Sequence, residues 1–280
     1  MANVHVTPDR YYLPAPSKWP ITGSIALGLL GFGAALTVNA LPAGYVLLAL
    51  GFAVLIYMMF GWFGTVVGES ESGRYNNRVD VSFRWGMSWF IFSEVMFFGV
   101  FFGTLYYMRV LSVPWLGEVD QRLLWPEFSP GWPVAGPGIT EKFTPMGAWG
   151  IPALNTLILL TSGVTITLAH WALKKNNRGA LVGWMIATVA LGVTFLGFQI
   201  YEYGHAYSEL NLKLTSGAYG ATFFMLTGFH GFHVTVGSIM LIVITARCMK
   251  GHFTPEHHFG FEGVAWYWHF VDVVWLFLFI

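Results

Sequence analysis

The sequence predicts an all-α integral membrane protein, a single membrane domain over residues 1–280. Three observations carry that prediction. Hydrophobic residues make up 55% of the chain and charged residues only 10%, where a soluble domain has about 25% charged. The apolar residues gather into seven stretches, each close to the ~20 residues a helix needs to cross a bilayer. Lysine and arginine then collect at alternate ends of those stretches, as expected of a chain that fixes its orientation in a membrane.

The stretches run over about 20–38, 43–67, 84–109, 148–172, 180–204, 217–246 and 260–280. The segment before the first is polar and proline-rich, with no apolar run ahead of a small-residue cleavage site. A removable signal peptide is therefore not expected. Asn39-Ala40-Leu41-Pro42 is a short link. It predicts an antiparallel hairpin, because proline ends one helix and opens the next. A polar loop from Gly68 to Asp80 follows the second stretch. Residues 110–146 are rich in proline and glycine and predict a non-helical surface cap. Within the spans, Ser24 and Gly28, Gly31 and Ala35, and Gly183 and Ala187 lie four apart. That spacing of small residues lets helix backbones approach in lipid.

Seven spans place ten of the 14 basic residues on the N-terminal side: Arg10, Lys18, Arg74, Arg78, Arg84, Lys174, Lys175, Arg178, Arg247 and Lys250. Arg109, Arg122, Lys142 and Lys213 fall on the other. The positive-inside rule then sets the N-terminus in the cytoplasm and the C-terminus outside. Net charge is zero, so nothing points to nucleic acid. The single cysteine, Cys248, excludes an internal disulfide and a thiolate cluster built from this chain alone.

Ionisable groups inside a span are costly unless they face protein, a water cavity or a partner. Glu94 lies in WFIFSEVMFFGVFFG, near the middle of the third stretch. It must be protonated or paired across helices. His230 and His233, in TGFHGFHV, share one helix face. They fit metal or haem ligation, or hydrogen bonds to another helix or a lipid headgroup. Two histidines are too few to close a metal site. His269 and Asp272 are also three apart and could pair with each other or bridge to a partner. Glu202 and His205 repeat the spacing near the outer end of the fifth stretch. His257 and His258 read as solvated loop residues and His170 as interfacial. There is no glycine-rich phosphate loop, no CxxC, no histidine box, and no lysine after Lys250 for a retinal Schiff base. Arg247 and Lys250, at a span end, suit an anionic headgroup.

Five separated segments resemble, in order, subunit III of the haem-copper cytochrome c oxidases: FSEVMFFGVFF, NTLILLTSG, QIYEYGHA, GATFFMLTGFHGFHVTVGS and HHFGFEGVAWYWHFVDVVWLFLF. The resemblance covers about 19–280. It implies seven transmembrane helices in a 2 + 5 arrangement with a V-shaped, phospholipid-filled cleft. It implies no haem, copper or other metal in this chain and no catalytic residue. Haem and copper belong to partner subunits I and II, which reduce oxygen with electrons from cytochrome c. Subunit III of such an aa3-type, proton-pumping enzyme supports proton uptake and active-site stability in subunit I, here in a bacterial inner membrane.

Residue by residue, Glu94 matches the carbodiimide-reactive membrane glutamate of that family. Trp62, Glu69, His230, Arg247 and Lys250 match positions on the lipid cleft, with His233 beside them. One departure is the run Trp62-Phe63-Gly64-Thr65-Val66-Val67-Gly68, which lacks the basic residue that many relatives carry before the position of Glu69. Three other readings remain open on the residues alone. They are subunit III of a quinol-oxidising enzyme, a free-standing redox protein with His230, His233 and His269 as ligands, and a transporter using Glu94 and Asp272.

Overall fold

The computed structural model describes residues 11–280. Arg10, counted above among the inner charges, lies outside the described residues. All regular structure within them is helical. The elements are α1 (Trp19–Val38), α2 (Ala43–Glu71), α3 (Asn77–Tyr106), α4 (Val113–Leu116), α5 (Val119–Arg122), α6 (Ile151–Lys174), α7 (Arg178–Ser208), α8 (Gly217–Lys250) and α9 (Phe259–Phe279). A π-helical turn, Tyr107–Ser112, links α3 to α4. The first part of the stretch expected to form a non-helical cap therefore winds on as helix, and α5 lies within it too. The remainder, from Trp125 to Trp149, carries no regular element.

Among the described residues, six helices are long and apolar enough to cross a membrane: α1, α2, α3 with its π-turn and α4, α6, α7 and α8. The chain is a multi-pass membrane protein. The last long helix, α9, has 21 residues, which is span length. It is less apolar because Glu262, His269 and Asp272 interrupt a run rich in Trp and Tyr. Several helices outrun their apolar stretches. α2 continues to Glu71 and α7 to Ser208, because the backbone ladder does not require an apolar side chain once it leaves the hydrocarbon.

The chain divides into two compact units, one ending at Phe83 and one running from Arg84 to Ile280, the break falling within α3. The first is organised by the α1–α2 pair. Ala40 turns the chain with φ +56°, and Pro42 caps α2. The helices touch through glycine, though not at the pairs expected. A Cβ on Gly33 would lie 2.7 Å from the backbone nitrogen of Leu48, and one on Gly51 would lie 2.9 Å from Leu30. Gly28, Gly31 and Gly183 would meet nothing within 4 Å. The right residue type was expected on the wrong helix face.

In the second unit α6 packs on α7, α7 on α8, α8 on α9 and α9 on α6. Leu159, Met185, Phe195, Leu241, Trp268 and Val271 are fully enclosed at its centre. Glycines at 192 and 237 make room for the Trp268 indole, since a Cβ at either would come within 2.8 and 2.9 Å of the ring. The indole Nε1 donates to Ser162 Oγ at 2.8 Å. Trp275 Nε1 donates to Thr156 Oγ1 at 2.9 Å. Each buried indole thus reaches an acceptor, as a buried Trp normally does.

Candidate functional site

The second unit brings several membrane ionisable groups into contact. Glu94, half-buried on α3, meets buried His233 on α8, with Oε2 and Nε2 2.9 Å apart. His233 Nδ1 lies 2.6 Å from the carbonyl oxygen of Phe229. A carbonyl only accepts, so Nδ1 must carry a proton. The Glu94–His233 hydrogen bond then holds one further proton, on either the carboxyl or the ring. Either way the pair is neutral overall, which lets it sit in a span without an isolated charge. Phe98 packs edge-on against the imidazole with centroids 5.0 Å apart, and Tyr267 donates to the His233 carbonyl at 3.3 Å. Of the two states expected for Glu94, the cross-helix pair is the one found, and the shared proton means that the two are not exclusive.

His230 points elsewhere. It is fully buried, with Nε2 3.1 Å from the carbonyl of Val271 on α9 and its ring against Phe195 and Trp275. Its Nε2 therefore donates to a carbonyl. His269 and Asp272 face each other at 3.7 Å, and the far ring nitrogen of His269 lies 3.3 Å from Thr167 Oγ1. His230, His233 and His269 thus have three separate sets of partners, and their rings do not converge on a common point.

Of the residues matched to the lipid cleft, Trp62 and Lys250 are exposed. Arg247 lies with its guanidinium carbon 4.5 Å from the centre of the Phe253 ring. In the first unit Glu69 accepts from Tyr12 at 3.0 Å and from Tyr75 at 2.8 Å. Burial, then the hydrogen bond to Glu69, push the Tyr75 phenol well above its ordinary range. The Glu69 carboxylate is thus held by two phenols, and Arg74 in turn donates to the Tyr12 hydroxyl.

Two expectations change, for His258 and His170, while Glu202 is buried, with Oε2 making no hydrogen bond. His257 is exposed as expected, but His258 is buried. His258 Nε2 lies 3.2 Å from His170 Nε2 and 3.4 Å from Glu262 Oε1. His170 is thus no simple interfacial residue. Glu262 also forms an ion pair with Arg84. Nothing in the local sequence marks this grouping, because His170 and His258 are 88 residues apart. The one usable signal was Glu262 itself, a carboxylate in the first turn of an apolar helix.

A model of the cytochrome c oxidase subunit III family matches residues 9–280. The chain is 41% identical over 271 residues to cytochrome c oxidase subunit 3 of Marchantia polymorpha, covering 96% of this chain and 94% of the relative. The subunit 3 proteins of Triticum aestivum and Papio hamadryas are each 40% identical over 96% of this chain, which spans 94% and 95% of them.

Proposed function

Because the chain belongs to the cytochrome c oxidase subunit III family, we propose that it is the non-catalytic third subunit of a proton-pumping, aa3-type cytochrome c oxidase. It packs against subunits I and II, which hold the haem and copper and take electrons from cytochrome c. It supports proton uptake and active-site stability in subunit I. It lies in a bacterial inner membrane with its N-terminus cytoplasmic and α9 as the seventh span. Phospholipid headgroups contact Trp62 and Glu69 in the first unit and Arg247 and Lys250 at the end of α8, with Glu94 and His233 beside the acyl chains.

The observation that carries this reading is the Glu94–His233 pair. Its hydrogen bonds are made within the chain, so it can keep a proton in the span without a metal or substrate to complete it. A carboxyl sharing a proton in apolar surroundings is also the form that a carbodiimide attacks. His230 and His269 likewise meet protein atoms, the first at the Val271 carbonyl and the second at Asp272 and Thr167, which favours a supporting role over a redox one.

The test is gentle detergent purification through a tag on this chain, followed by an optical spectrum and a subunit gel. A haem spectrum with two membrane partners is expected, and this chain should be colourless once they are stripped away. A chain that emerged alone with a haem band would overturn the proposal. Oxidation of reduced cytochrome c, and not of quinol, by the purified complex checks the donor.

A further inference from the structure

We propose that Glu202, Gln199, Asn155 and His230 form a buried proton-holding site, in which bound water links the Glu202 carboxyl to the other three side chains. The site lies within the second unit, in the half of the bundle where α7 ends and α6 begins.

The four side chains gather around one stretch of α7. Phe195, Gln199, Glu202 and Ala206 are all buried, and their spacing of four, three and four sets them on one helix face. Asn155 of α6 is fully buried, and its Nδ2 donates to the Phe195 carbonyl at 3.4 Å. That carbonyl points along the helix toward the turn of Gln199, so the Asn155 amide lies beside it. Glu202 follows one turn further, at the ~5–6 Å between Cβ atoms usual for residues three apart. From α8, His230 packs its ring on Phe195 with centroids 5.7 Å apart.

Each of the four has a buried atom with no hydrogen-bond partner among the described residues: Asn155 Oδ1, Gln199 Oε1, Glu202 Oε2 and His230 Nδ1. Buried polar atoms in native proteins are nearly always bonded, so four around one helix face call for a ligand. Its chemistry follows from theirs. The two amide oxygens only accept. His230 spends its Nε2 proton on the Val271 carbonyl, which leaves Nδ1 with a lone pair that also accepts. Three acceptors require donors.

Glu202 supplies one. Among the described helices, α7 has no lysine or arginine after Arg178, and α8 has none before Arg247. On the next turn of α7, His205 lies 3.1 Å from Glu209 and faces that carboxylate instead. The Tyr203 hydroxyl is bonded to Thr227 Oγ1 at 2.7 Å. A carboxylate buried in a membrane bundle without a counter-charge is costly, so Glu202 holds a proton. One proton serves one acceptor. Buried water, which donates as well as accepts, serves the others. A calcium ion fits less well, since it takes about six to eight oxygens and this face offers three side-chain oxygens and a ring nitrogen. The bundle thus holds a second exchangeable proton, on partners separate from those of the Glu94–His233 pair.

The intact complex, purified through this chain, would be transferred to heavy water and followed by infrared spectroscopy beside a Glu202→Gln complex. The variant should lack one protonated-carboxyl C=O band, and in the wild type that band should shift within minutes of transfer, because water reaches the proton. An assembled variant that lacks no band, or a band that stays unshifted for hours, would overturn the proposal. An Asn155→Leu/Gln199→Leu complex, which keeps the carboxyl but removes two acceptors, should slow the shift at least about fivefold, the worth of one hydrogen bond. An unchanged rate would overturn the link through water. Should the variants fail to assemble, high-resolution density of the wild-type complex decides the matter. Water peaks within about 2.7–3.2 Å of the four atoms support the site. No peak there, or a single peak about 2.3–2.6 Å from several of the oxygens, as for a calcium ion, overturns it.

Discussion

The α1–α2 pair and the α6–α9 bundle solve the same problem in different ways. Lipid tails are as apolar as leucine, so burying an aliphatic side chain between helices gains little there, and packing and hydrogen bonds must hold the helices together. The α1–α2 pair relies on close approach: Gly33 and Gly51 bring backbone against Leu48 and Leu30. Most of its large side chains, among them Phe32, Phe52 and Phe60, stay exposed. The α6–α9 bundle encloses Trp268 and Phe195 and satisfies buried polar groups across helices, as in the Thr165–Thr188 contact at 2.7 Å. The same bundle holds buried ionisable groups, His230 on α8 and Glu262 and Asp272 on α9.

The sharpest way to break the comparison is to remove its largest enclosed side chain. Trp268→Ala should destabilise the bundle by about 3–5 kcal/mol, the range for truncating a buried aromatic, measured by SDS-induced unfolding of the tagged complex. Gly192 and Gly237 line the resulting space and have no side chains with which to fill it. A smaller loss, about 1–3 kcal/mol from overpacking, is expected for Gly33→Val, whose Cβ would press on the Leu48 backbone. Gly31→Ala is the control. It meets nothing within 4 Å and should be neutral or slightly stabilising. Equal effects at positions 31 and 33 would mean that close approach does not hold the pair. Smaller again is the Trp268–Ser162 hydrogen bond. A double-mutant cycle with Trp268→Phe and Ser162→Ala should give a coupling near ~0.6 kcal/mol, the average for such bonds in membranes. A coupling of zero would leave shape alone to explain the enclosed indole.

The contrast also explains what the sequence made legible. Apolar runs of span length locate α1, α2, α6, α7 and α8, because a bilayer imposes length and composition together. Glu94 stands out for the same reason: a lone carboxyl in such a run requires a partner. Its partner did not stand out, since nothing local says that His233 of α8 faces α3 while His230, one turn away, faces α9. Small-residue spacing suggested close contacts at Gly28, Gly31 and Gly183, yet spacing fixes a stripe along a helix and not which stripe meets a neighbour. His258 was hidden by its loop setting. Its burial depends on the turn after Gly251, where a left-handed residue (φ 81°) ends α8 and leads the chain back toward α6.

The smallest expected effect lies outside the spans. Glu141, in the segment between α5 and α6, accepts from Asn211 Nδ2 at 3.0 Å, and Lys213 Nζ lies 3.5 Å away. Thr144 N donates to the Leu210 carbonyl at 2.9 Å, so this segment is tied to the α7–α8 connection. The Asn211 hydrogen bond first, and Lys213 next, hold the Glu141 carboxyl below its ordinary range. A depressed carboxylate contributes its stability above its unfolded value and loses it as pH falls through the folded one. The tie should therefore be complete at neutral pH, begin to weaken near the ordinary carboxylate range and be lost below it. Because Glu141 is exposed, the effect is local, and hydrogen exchange at Thr144 is the measurement that reads it. Faster exchange at acid pH, after correction for the intrinsic rate, is expected in the natural chain. In Glu141→Gln the side-chain oxygen can still accept from Asn211, so the tie should persist without its pH dependence. If the natural chain and the variant showed the same pH profile, the carboxylate would play no part in holding the segment.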